Sequence, residues 1–140
     1  MNVNSVFRHV SYAAPYMELI EEFRLEEMLK FHFSFKPLLQ GYSSGRIIDM
    51  LGFRKDAGKP IRQFSSGMKQ KVKLIMAFLS DTPLLLLDEP TTNLDKAGSD
   101  WYLNMISEFT AGRTTIICSN LQQTETGFCR EILFIEDYKK

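Results

Sequence analysis

The chain has 140 residues, 44% hydrophobic and 24% charged, which fits one globular domain burying roughly two-thirds of its unfolded surface. Seventeen basic residues balance seventeen acidic ones, so bulk charge gives no support to nucleic-acid binding. The start MNVNSVFRHVSY has no apolar signal core, and the longest apolar runs, Leu74 to Leu79 and Leu84 to Leu87, fall far short of the ~20 residues that span a bilayer.

Taken in chain order, His9 to Ala13 reads as a short strand stopped at Pro15. Met17 to Phe33 reads as a helix with Leu19, Ile20, Phe23, Met28 and Phe31 inward and a Glu-rich first half suited to the positive helix end. Pro37 interrupts, Leu38 to Leu51 predicts one or two short helices broken near Gly41 and Gly45, and Gly52 to Gln63 is a polar loop. A helix runs from Ser65 to about Leu79, with Val72, Ile75, Met76 and Leu79 on one face and Lys69, Lys71 and Lys73 on the others. Asp81-Thr82-Pro83 is a turn, and Leu84 to Leu87 is an apolar run suited to a strand buried on both faces. Lys96 to Phe109 is a helix stopped near Gly112, Thr114 to Cys118 a second buried strand, Gln122 to Phe128 a short helix and Glu131 to Glu136 a last strand. Strands alternate with helices from Ser65 onward, which implies an α/β layer architecture. Cys118 and Cys129 lack metal-ligand spacing and read as buried free thiols of a reducing compartment.

Two short motifs carry chemistry. Leu84 to Leu87 delivers Asp88 and Glu89 to the carboxyl end of a strand, where open α/β sheets bind ligands. A carboxylate there can hold Mg²⁺ directly or through water, and Glu89 on the other side of the chain can orient and deprotonate a water. The plain alternative is a strand end with two solvated acids. Ser65-Ser66-Gly67 opens a helix, with Ser65 as N-cap and Met68 where a capping box needs Glu or Gln. The N–H groups of a helix start attract anions, and Gly67 permits close approach; the plain alternative is a capped helix.

In order and spacing, these motifs resemble the second half of the ATP-binding domain of ABC-type ATPases. Phe64-Ser65-Ser66-Gly67-Met68 resembles the LSGGQ signature, continued by Lys69-Gln70-Lys71-Val72; Leu84 to Glu89 resembles the Walker B strand; Thr92-Asn93-Leu94-Asp95 resembles the D-loop. The resemblance is strongest over 64–95. It implies an α/β fold with a partial P-loop NTPase-type sheet and a helical subdomain at about 14–63, the portion 64–140 holding signature, Walker B, D-loop and switch. It implies ATP and Mg²⁺ as cofactors, with Asp88 serving Mg²⁺ and Glu89 the hydrolytic water. Ser65, Ser66 and Gly67 would meet ATP held by a second protomer of a homo- or heterodimer, and Asp95 would cross that interface. The implied setting is the cytoplasmic face of a membrane, peripheral to a transmembrane permease subunit that meets the helical subdomain. No nucleic-acid partner is expected.

Three departures qualify the resemblance. No Walker A loop, G-x-x-x-x-G-K-[ST], occurs; Gly52, Gly58 and Lys59 mimic one, but five residues separate the glycines and Pro60 replaces the Ser/Thr. Asn120 stands where the family has its switch histidine; its amide can donate a hydrogen bond but cannot carry a proton charge. Ala14-Pro15-Tyr16 occupies the Q-loop position without a glutamine. The expectation is therefore a domain lacking its N-terminal half, with uncovered apolar surface that promotes self-association. It is inactive alone and is either an ATPase component working through partners, a module donating its signature to ATP bound elsewhere, or an inactive remnant.

Overall fold

A computed structural model describes residues 3–120 and 122–139, with the side chains of residues 3 and 4 left aside. Three strands form one parallel sheet: β1 (Val10–Ala13), β2 (Leu84–Asp88) and β3 (Thr114–Cys118), in the order β1-β2-β3. Register pairs Ala13 with Leu87 and Leu87 with Ile117, and on the alternate positions Tyr12 with Leu86 and Leu86 with Ile116. Side chains alternate across a strand, so paired residues share a face. Ala13, Leu85 and Leu87 point into the core, where α3 (Ser66–Leu79) packs against β1 and α4 (Lys96–Phe109) packs against α3.

The opposite face is open. Val10, Tyr12, Leu84 and Leu86 are only half-buried, and Ile116 is 56% exposed. The expectation that Leu84 to Leu87 is buried on both faces holds for one face alone, and Thr114 to Cys118 is an exposed edge strand rather than a buried one. Its position explains Cys118, which is exposed, while Cys129 is half-buried; both thiols are free, but neither is buried as expected.

α3 begins where the Ser65 signal places it, with Ser65 Oγ accepting from Met68 N–H at 3.2 Å. Its burial is wider than one face: Val72 and every residue from Leu74 to Leu79 are buried. This is the central helix of the molecule, and each buried Leu or Ile contributes roughly 1.5–3 kcal/mol of transfer free energy. α4 starts at its Asp95 cap and is followed by Gly112 at φ 80°, a left-handed turn that suits glycine.

The region before α3 differs most from expectation. Helix α1 spans Leu25–Phe35, not Met17 to Phe33. The backbone of 21–24 is committed elsewhere: Phe23 C=O accepts from Ile61 N–H at 2.8 Å, Glu21 C=O from Arg62 N–H at 2.9 Å, and Arg24 bridges Pro60. Glu27 then closes the helix start by accepting from Arg24 N–H at 2.7 Å. Met28 is buried, Leu19, Ile20 and Phe23 pack on the core partly buried, and Phe31 is 42% exposed instead of inward. A single helix, α2 (Ser44–Leu51), follows with Gly45 inside it and Gly41 in the turn before.

After β3, helix α5 is shorter than expected, Gln123–Thr126, and Glu131 to Glu136 forms no strand. Ile132 and Leu133 are exposed with no ladder partner, and the chain closes in a 3-10 turn at Ile135–Tyr138. An apolar run becomes a strand only where a neighbouring strand accepts its hydrogen bonds.

Candidate functional site

Asp88, Gly67 and Asn120 border the loop from Glu89 to Asp95. β2 carries Asp88 to the end of the central strand, half-buried and in register with Cys118. Glu89 then turns out of the strand at φ 40°, its N–H donating to Cys118 C=O at 2.9 Å. Asn120 Nδ2 donates to Glu89 Oε1 at 2.7 Å, and Thr92 Oγ1 donates to Glu89 Oε2 at 3.4 Å. Two residues 31 positions apart, proposed separately from the sequence, thus meet directly.

Asp88 has its own neighbours. Tyr16, at the position where glutamine was expected, has its phenol pKa raised, first by the hydrogen bond with Tyr12 and further by the Asp88 carboxylate beside it. The Cys118 thiol is likewise pushed up, by burial first and by Asp88 next, so it is no ready nucleophile. Among the described residues no group of three or more His, Cys, Asp or Glu side chains forms a metal cage.

The signature turn lies against the same loop from the other side. A Cβ on Gly67 would stand 2.9 Å from the Asn93 carbonyl oxygen, so packing alone favours glycine there. Gln70, buried in the next turn of α3, donates from Nε2 to Pro90 C=O at 3.1 Å. By helix geometry the N–H groups of Ser66 and Gly67 have no intrahelical carbonyl and remain available to an anion. Ser65 and Ser66 are exposed beside them. Asp95 is exposed too, and its Oδ1 accepts from Gly98 N–H at 2.7 Å, capping α4.

Sequence reasoning missed three side chains here: Gln70, Thr91 and Glu125. Thr91 donates from N–H and Oγ1 to Glu125 Oε1 at 2.9 and 2.6 Å, and Ser119 Oγ donates to Glu125 Oε2. Gln70 lies inside a quoted motif and Thr91 between two of them, so both were within reach; Glu125 sits in a four-residue helix with no pattern of its own.

Comparison with known proteins bears on this arrangement. A model of the ABC transporter family matches residues 3–92, more than half of the chain. The probable ATP-binding cassette sub-family F member 3 homolog of Encephalitozoon cuniculi is 38% identical over 100 residues, covering 71% of this chain and 18% of that protein. The lantibiotic transport ATP-binding protein SrtF of Streptococcus pyogenes is 32% identical over 107 residues, covering 73% of this chain and 47% of that protein. A solved ATP-binding subunit of an ABC transporter superposes with a TM-score of 0.73 at 27% identity, over 87% of this chain and 52% of that one. The chain thus spans about half or less of each relative's length. A parallel sheet whose central strand ends in Asp88 and Glu89, a helix opened by Ser65-Ser66-Gly67, and the matched family model make this chain a member of the ABC transporter family.

Proposed function

We propose that the chain is part of the ATP-binding component of an ABC transporter, coupling ATP binding and hydrolysis to transport through a membrane permease subunit. The observation that carries this reading is the Asn120–Glu89 hydrogen bond of 2.7 Å at the end of β2. A carboxylate acting as general base must be held in one orientation, and Asn120 fixes Oε1 while the 3.4 Å contact from Thr92 Oγ1 leaves Oε2 a lone pair for water. Asp88, one residue earlier and half-buried, is the group that would hold Mg²⁺; when bound, the ion would offset charge on the phosphates. Asn120 cannot take up a proton, so it positions and donates without shuttling. The 140 residues contain no G-x-x-x-x-G-K-[ST], so the phosphate cradle for this site must come from outside them.

A second reading rests on the exposed helix start. The N–H groups of Ser66 and Gly67, beside the exposed Ser65, suit a phosphate held by a second ATP-binding protomer, with Asp95 near that interface. In this reading the chain donates its signature and does no hydrolysis. No helix among the described residues is long and apolar enough to cross a membrane, so contact with a bilayer at its cytoplasmic face would run through the permease partner.

ATP turnover separates the readings. ATP turnover by the chain joined to a segment that supplies G-x-x-x-x-G-K-[ST], lost in Glu89→Gln, supports the first reading. Restored turnover when the chain is mixed with a protomer whose own signature is mutated supports the donor. Silence in both, over a range of protein concentrations, refutes both.

A further inference from the structure

We propose that Glu125 is a positioning residue that holds the Glu89–Asn120 pair together by clamping the two loops that carry it. The inference rests on the proposed role of Glu89. Glu125 is 1% exposed, and among the described residues no cation pairs with it. A buried carboxylate is costly unless donors surround it, and here the donors come from both loops. From one side, Thr91 gives its N–H at 2.9 Å and its hydroxyl at 2.6 Å to Oε1. From the other, Ser119 gives its hydroxyl to Oε2.

The sequence neighbours of these donors explain the consequence. Thr91 lies two residues after Glu89, and Ser119 immediately precedes Asn120. One carboxylate therefore sets the spacing between two segments whose own functional contact is a single hydrogen bond. Gln122, just before α5, has its N–H on Ser119 Oγ at 3.3 Å and its Oε1 3.2 Å from Thr91 Oγ1, so its side chain follows the same path between the loops. Packing alone would be served at this site by an apolar residue. A carboxylate is suited to it because it accepts several hydrogen bonds at once from fixed directions.

The test uses two variants and two readouts. Glu125→Ala removes all three acceptor contacts. Glu125→Gln keeps one acceptor oxygen for Thr91 and turns an amide toward Ser119, so it folds even if the first variant does not. In the 140-residue chain without nucleotide, the backbone amide of Thr91 and the side-chain amide of Asn120 are followed by NMR. Expected is at least a tenfold faster exchange at Thr91 and a shifted Asn120 side-chain signal in Glu125→Ala, smaller changes in Glu125→Gln, and α3 amides unchanged in both. An unmoved Asn120 signal in both variants overturns the proposal, because a residue that merely holds α5 in place would give that result.

In a complex with an intact protomer, Glu125→Gln should lower kcat about tenfold and change KM for ATP less than twofold; an equal change in both overturns the positioning role. If the wild-type complex turns over no ATP, the proposed function fails and the NMR readout alone decides the clamp.

Discussion

Two glycines offer a matched experiment on the signature turn. Gly45 and Gly67 each occupy the second position of a helix, α2 and α3, each behind a serine cap. A Cβ on Gly45 meets nothing within 4 Å, whereas a Cβ on Gly67 would stand 2.9 Å from the Asn93 carbonyl oxygen, a backbone atom that cannot rotate away. Alanine in a helix is favoured over glycine by about 0.5–1 kcal/mol, partly through a less flexible unfolded chain. Overpacking against a rigid neighbour costs about 1–3 kcal/mol. Gly45→Ala should therefore stabilise by about 0.5–1 kcal/mol. Gly67→Ala should be neutral to destabilising by about 2 kcal/mol, since the clash offsets or exceeds the same gain. Urea denaturation followed by circular dichroism reads both, with an unchanged slope required for the comparison. Equal stabilisation by the two substitutions would refute the reasoning, and would mean that Gly67 is kept free of a side chain by something other than Asn93.

Three further outcomes follow from groups away from that turn. Tyr102 is fully buried with no partner for its hydroxyl among the described residues, so Tyr102→Phe should raise stability by about 1 kcal/mol in thermal or urea unfolding. Ile116→Lys on the open sheet face should lower concentration-dependent self-association in sedimentation velocity without lowering the melting temperature; a monodisperse wild-type monomer at high concentration would count against the expected stickiness of that face. His32 is depressed to about 4, by burial first and the Lys36 charge second, against a Met76 backbone contact that opposes them. The folded chain thus refuses a proton that the unfolded chain takes up near pH 6.5, so stability present above that pH should fall by up to about 3 kcal/mol as pH drops toward 4, and His32→Gln should flatten that window.

The parts of the fold legible in the sequence are those with local causes. Ser65 and Asp95 cap their helices because a short oxygen side chain meets N–H groups three residues on, and both helix starts follow from that alone. The two acids after Leu84 to Leu87 mark the end of that run, although the turn that follows is half-buried to buried from Asp88 to Thr91. By contrast, residues 21–24 carry a helical pattern but bond to 60–62, a partner 36 or more residues away that no local pattern reveals. The run Ile132 to Ile135 has strand composition and no strand beside it. In the site, Asp88, Glu89 and Asn120 were legible from motif spacing, whereas Glu125 depends on three partners drawn from two loops.

Glu89 offers the sharpest separation between a chemical site and a mere strand end. At φ 40° it occupies backbone space that costs a non-glycine residue about 1–3 kcal/mol. A turn selected for folding alone would place Gly or Asn there. A glutamate in that conformation has its N–H held by the Cys118 carbonyl and its carboxylate directed by Asn120 and Thr92. The strain can be isolated by comparing Glu89→Gly with Glu89→Ala, since both lose the carboxylate and its two side-chain hydrogen bonds. In an ordinary helix or strand the glycine variant would be the weaker by about 0.5–1 kcal/mol. Here it should be the more stable of the two by about 1 kcal/mol, because only alanine keeps the backbone strain. Denaturant midpoints of the two variants decide it. If alanine proves the more stable, Glu89 is not strained, and its placement loses its value as a mark of function.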